Sequence, residues 1–160
     1  MRVEGLESRV ERQRGEGDYI RVLGNYVLNP MTEENAMFRF EKLDVWRKAI
    51  EFTDGIYIVT KAFLDHERYG LTSQLRRASV SVSSNIAEGS GRASDKDFSH
   101  FVEMAYGSLM EVVSQLHVAH RQGFLHEEER SGLHEKAEEL ARMLSGLRAS
   151  LTRHSQPRSS

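Results

Sequence analysis

The chain has no cysteine and only two prolines among its 160 residues. Without thiols there are no disulfides, no thiolate nucleophile and no cysteine metal site, and a reducing cytoplasm is the natural setting. Pro30 and Pro157 flank the long periodic stretches, so no proline interrupts a helix between them. No apolar run approaches the roughly 20 residues that span a bilayer, and no hydrophobic signal core opens the sequence. An excess of one charge is missing as well: 22 Lys and Arg face 24 Asp and Glu, a net of -2. A bulk electrostatic pull on nucleic acid is therefore absent, and any basic surface has to come from local clustering. The small acidic excess lies in the first 36 residues; from Met37 onward the charges balance. What remains, 39% hydrophobic residues in a chain of this length, suits one soluble domain with a real core.

Residues 1–36 differ from the rest, with scattered glycines, a charged opening and no sustained helical period. Tyr19–Leu28 can form a short hairpin around Gly24-Asn25 or belong to a flexible tail, and the tail is the favoured reading. Met31 and Met37 both precede the periodic region, and Met37 is a candidate for the true start.

From Leu43 the pattern becomes helical. Leu43, Trp46, Ile50, Thr53, Tyr57, Thr60 and Leu64 recur at alternating spacings of three and four, as one buried stripe does. A second helix carries Leu71, Leu75, Ala78, Val82 and Asn85. A third carries Phe98, Val102, Ala105, Leu109, Val112, Leu116 and Ala119, and a fourth Leu133, Ala137, Leu140, Leu144, Leu147 and Leu151. No segment alternates as a half-buried strand does. The expected fold is all-α, an antiparallel up-down four-helix bundle over 37–153, with a poorly structured N-terminal extension and a disordered tail over 154–160.

The stretch SSNIAEGSGR, residues 83–92, could be mistaken for a phosphate loop. It lacks both G-x-x-x-x-G-K-[ST] and a G-x-G-x-x-G following a strand. Asn85 and Ile86 continue the second stripe, Gly89 is placed to cap that helix, and Gly91 and Arg92 form the turn. Ser94 is then an N-cap with Asp95 and Asp97 in the first turn of the next helix. The stretch is a helix connector.

FEKLDVWRKAIEF (40–52), YGLTSQLRRASVSVSSNIAEGSGR (69–92) and FVEMAYGSLMEVVSQL (101–116) resemble the bacterial four-helix-bundle family first met as open reading frames in rRNA intervening sequences, sometimes labelled a ribosomal protein. The likeness runs from Phe38 to Leu151. It implies a four-helix protomer assembled into a ring-like pentamer, with no established enzymatic activity and no catalytic residues to carry over. A related protein is the accessory subunit of diversity-generating retroelements, which binds nucleic acid and a reverse transcriptase.

Enzyme chemistry finds little support among the residues. A carboxylate-bridged metal site needs Glu-x-x-His on two helices, and only the third helix offers candidates, Asp97, His100 and Glu103, then His117 and His120. The serines at 79, 81, 83 and 84 lie in no nucleophile elbow and read as small residues that let helices approach. Asn85 in a stripe position needs buried partners and reads as a residue fixing register or assembly. Trp46, Tyr57 and Tyr106 read as core. No catalytic residue, cofactor or metal is expected.

Two surface readings remain. Arg76, Arg77 and Arg92, with Arg68 nearby, form the basic stretch and are candidates for nucleic-acid contact; repetition around a ring would turn them into a band. Against this, adjacent arginines point in different directions and can pair with neighbouring carboxylates. The first helix also shows a second stripe, Val45, Ala49, Phe52, Ile56, Val59 and Phe63, offset by about 100° from the first. This second face, with Val45, Phe52, Ile56, Val59 and Phe63, is expected to form the oligomer interface; one wide face buried in the protomer is the alternative. The functional expectation is a non-enzymatic oligomeric scaffold with weak nucleic-acid binding, or else a protein-interaction adaptor such as a reverse-transcriptase accessory subunit.

Overall fold

The computed structural model describes residues 21–23, 26–28, 37–64, 67 and 70–154. Two compact units divide the chain between Thr32 and Glu33. In the first, β1 (Arg21–Leu23) and β2 (Tyr26–Leu28) pair antiparallel, with Val22 opposite Val27. Within Tyr19–Leu28 the paired strands thus support the hairpin reading over the favoured tail; the rest of residues 1–36, Arg68 and residues 155–160 lie outside the described residues.

The second unit is four helices packed antiparallel: α1 (Asp44–Val59), α2 (Leu71–Ser90), α3 (Asp95–Arg121) and α4 (Glu127–His154). The stripes of α3 and α4 face inward as their spacing predicts: Phe98, Val102, Leu109, Leu116, Leu140 and Leu144 are all buried in one core. On α2, Leu75, Ala78, Val82 and Asn85 are buried alongside Ser79 and Ser83.

The connectors follow local chemistry. The Ser94 hydroxyl accepts from the Asp97 backbone N–H at 3.1 Å, a side-chain N-cap on α3. The α3 terminus closes with Gly123 at φ 76, where its N–H reaches the His120 carbonyl and that of Phe124 the Ala119 carbonyl. That double closure requires the left-handed conformation glycine adopts freely. Before α1, a 3-10 turn at Arg39–Lys42 lets the Arg39 guanidinium donate to the Ser90 carbonyl at 3.3 Å, satisfying an orphan acceptor at the α2 terminus.

Gly89 does not cap α2, which continues to Ser90, and Gly91 ends it with an ordinary helical φ of -85. Gly89 is instead a contact glycine: a Cβ there would lie 2.6 Å from both the Phe101 Cβ and the Phe98 Cδ2. Only a hydrogen fits between α2 and α3 at this level.

The largest correction concerns α1. Val45, Phe52, Ile56 and Phe63, expected at an oligomer interface, are buried in the protomer's own core, and Val59 packs against it. The stripe expected inside is partly outside: Ile50 is 37% exposed, Tyr57 40% and Leu64 53%. The reason is the charge opposite. Arg47, Asp54 and Lys61 recur every seven residues on the side facing away from Phe52 and Ile56, and they set which apolar stripe turns inward. Thr53 and Thr60 stay buried at the edge nearest α2, where the Thr53 hydroxyl shares its proton between the Ala49 and Ser79 carbonyls at 2.9 and 3.1 Å. On the other flank, the Lys48 ammonium pairs with Glu139 of α4 at 3.4 Å; Glu51 and Glu139 hold the Lys48 pKa above its ordinary value.

Candidate nucleic-acid interface

The three arginines singled out from sequence do not form one patch. Arg76 and Arg77, adjacent on α2, diverge by about 100° around the helix. The half-buried Arg76 turns toward α1, donates from Nε to the Thr60 hydroxyl at 2.9 Å and lies 4.7 Å above the Tyr57 ring. It therefore joins α1 to α2, engaged by both the Thr60 hydroxyl and the Tyr57 ring. Tyr57 and Tyr106, expected in the core, are both partly exposed; the first is the platform on which Arg76 stacks.

Arg92 stands at the other end of α2, on the order of 20 Å from Arg76 at the helical rise. It pairs with Glu88 and stacks over the Phe101 ring at 4.5 Å. Of the three, only Arg77 is exposed and without an ion pair to any described residue. It opens onto a cleft between α2 and α3, whose other lining residues are Gln74, Ala78, Ser81 and Glu111. Glu111, which nothing in the sequence marks, is fixed by Gln115, whose Nε2 donates to Glu111 Oε1 at 2.9 Å. At the far end of the cleft the Ser81 and Ser108 hydroxyls bond at 3.0 Å, and Asn85 Nδ2 donates to the Ser81 carbonyl at 2.8 Å and to its hydroxyl at 3.1 Å. The buried amide of Asn85 thus finds its partners one turn back on its own helix.

The metal candidates of α3 separate. Asp97 is engaged by Ser94, while His100 Nδ1 lies 3.8 Å from Glu103, which pairs with Arg148 of α4 at 2.6 Å. Among the described residues no group of three or more His, Asp or Glu converges on a metal position. Where α3 meets α4, Glu127 bonds Arg130 Nε at 2.8 Å, and Arg130 holds its carboxyl below the usual range.

Apolar groups also reach the surface. Ile50, Tyr57 and Ile58 on α1, Val80 on α2, and Met104, Met110 and Val118 on α3 are all substantially exposed. Ile50 and Tyr57 lie on the flank next to α2, the side on which Arg76 meets Tyr57. Among the described residues no helix is long and apolar enough to cross a membrane.

A small four-helix bundle with half-exposed apolar flanks and dispersed surface arginines defines the protein's class. The sequence profile of the 23S rRNA-intervening sequence protein family matches residues 41–146, and the chain belongs to that family. A solved structure described as a protein with unknown function from the S23 ribosomal protein family of Bacteroides thetaiotaomicron shares the fold, with a TM-score of 0.60 and 21% identity. The alignment covers 64% of this chain and 96% of that one. Nothing among curated proteins matches the chain.

Proposed function

We propose that this protein is a non-enzymatic cytoplasmic scaffold that self-associates through its bundle surface and binds nucleic acid weakly. The observation that carries the reading is the apolar flank formed by Ile50 and Tyr57 of α1 and Val80 of α2, left in water by a protomer whose core is already complete. Exposed apolar side chains gathered on one side of a protomer are what an interface would cover. The family resemblance sets the expected assembly at five copies around an axis. Each copy would then repeat Arg77, and a single weak cation would become a ring of them.

Light scattering on the wild type and on Ile50→Glu with Val80→Glu tests the assembly. Both positions are partly exposed in the protomer, so the expected result is a smaller species with unchanged helix content by circular dichroism. A wild type that is monomeric at micromolar concentration would end the proposal. For nucleic acid, a gel shift with single-stranded RNA at low salt should weaken steeply as salt rises and should weaken in Arg77→Glu. A second reading, a protein-interaction adaptor such as a reverse-transcriptase accessory subunit, is favoured by Met104 and Met110 exposed on α3, since methionine surfaces adapt to varied partners.

A further inference from the structure

The cleft between α2 and α3 has a volume of about 370 Å³. Ligand clefts fall in the range of about 300–1,000 Å³, so it suits a small ligand rather than a large one. Gln74, Arg77 and Ser81 line one wall from α2, and Glu111 stands on α3. Neither Arg77 nor Glu111 forms an ion pair, with the other or with any described residue. Opposite charges that line one cleft without closing it leave room for a group that answers both.

The carboxylate side is the better ordered. Glu111 is held through Oε1 by Gln115, which is only 9% exposed and whose own Oε1 has no hydrogen-bond partner. Gln115 does not itself line the cleft; it fixes the Glu111 carboxylate, and that carboxylate is the acceptor this wall presents. Arg77 offers the reverse, a planar fork of N–H donors that matches two adjacent acceptors. The complementary ligand is flat, with paired donors on one edge and paired acceptors on the next.

Guanine has that pattern. Its N1–H and N2–H groups form a donor pair for a carboxylate, and its O6 and N7 form the acceptor pair that arginine reads bidentately. Adenine and cytosine lack a pair of donors on adjacent ring and exocyclic positions, and uracil has one N–H. Unpaired RNA presents both edges, because its bases can be splayed out of a stack. We infer that the α2–α3 cleft takes a guanine base, with Glu111 on its Watson–Crick edge and Arg77 on O6 and N7. As a contact to RNA this rests on the nucleic-acid half of the proposed function; as a contact to guanine it stands on the cleft alone.

The test has two arms on the full chain. Calorimetry with GMP and with AMP reads the cleft directly, and fluorescence anisotropy with a uridine nonamer carrying one central G or one central A reads it within RNA. The expected result is a preference for G of about tenfold in both arms, since one bidentate pair discriminates by that order. In Glu111→Gln, whose fold is checked by circular dichroism, the preference should fall several-fold, to what the Arg77 contact alone supplies. Arg77→Gln should weaken G and leave A unchanged. RNA binding with no base preference, together with no GMP binding, overturns the guanine inference and leaves the nucleic-acid reading standing. GMP binding without RNA binding keeps the cleft and removes the nucleic-acid reading. A G preference undiminished in Glu111→Gln overturns the assignment of the carboxylate.

Discussion

Gly89→Ala tests how closely α2 and α3 pack. In an exposed helix interior, alanine is favoured over glycine by about 1 kcal/mol. At Gly89 the added methyl would meet the Phe101 Cβ and the Phe98 Cδ2 at 2.6 Å and the Phe98 Cε2 at 3.1 Å. The Phe101 Cβ is bonded to backbone and cannot rotate away, and Phe98 is 3% exposed, with no space to retreat into. One helix must shift, and overpacking of this kind costs about 1–3 kcal/mol. The propensity gain offsets up to about 1 kcal/mol of that, leaving a net loss of between about 0 and 2 kcal/mol. Gly107 of α3 is the internal control, because a Cβ there meets nothing within 4 Å. Gly107→Ala should therefore stabilise by about 0.5–1 kcal/mol. Urea melts followed by circular dichroism measure both, and in thermal melts Gly89→Ala should lie below Gly107→Ala in Tm by about 2–6 °C. A Gly89→Ala protein stabilised as much as the Gly107→Ala control would show that α2 and α3 do not approach as described.

Phe52→Ala should cost about 3–5 kcal/mol, as loss of a buried ring does, whereas Ile50→Ala on the adjacent stripe should cost well under half of that; equal losses in urea melts would reverse the assignment of the α1 faces. Ser94→Ala removes the α3 cap and should cost about 1 kcal/mol, with Ser94→Asp restoring most of it in the same melts. Glu127 has its folded pKa depressed, chiefly by the hydrogen bond from Arg130. Its contribution is therefore present above the ordinary carboxylate range and lost as pH falls through the depressed value, so the stability gap between wild type and Glu127→Gln should close on acidification. A gap that widens in acid would contradict that sign.

Most of the bundle could be read from spacing because three helices carry a single apolar stripe each. On α3, every stripe residue from Phe98 to Ala119 is buried, and Gly123 and Ser94 end and begin helices by local chemistry alone. On α1, two apolar stripes adjoin, and periodicity cannot choose between them. The choice is made by what α1 packs against: Gly55 is approached by Leu133 of α4, and Thr53 reaches Ser79 of α2. The one sequence signal that could have decided it was the opposing row of Arg47, Asp54 and Lys61. Gly89 was misread for a similar reason, since a glycine near a helix end suggests a cap, while the neighbour that demands it lies on another helix.

The surface site was less legible because closeness in sequence is not closeness on a helix. Arg76 and Arg77 are neighbours in the chain, yet one is drawn into a structural contact with Tyr57 and Thr60 and the other faces α3. Arg77 gains its partner on the cleft, Glu111, only through antiparallel register. The short connector after Ser90 brings Ser81 level with Ser108, as their hydroxyl contact records. One turn back along α2 and one turn forward along α3 then bring Arg77 and Glu111 to the same level, and the next turn does the same for Gln74 and Gln115. Apart from the buried Gln115, each of these residues alone is an ordinary solvated side chain on an amphipathic helix. The donor wall and the acceptor wall exist because a four-residue turn fixes how two helices slide past each other, so the chemistry of the cleft is a property of the connector as much as of the residues that line it.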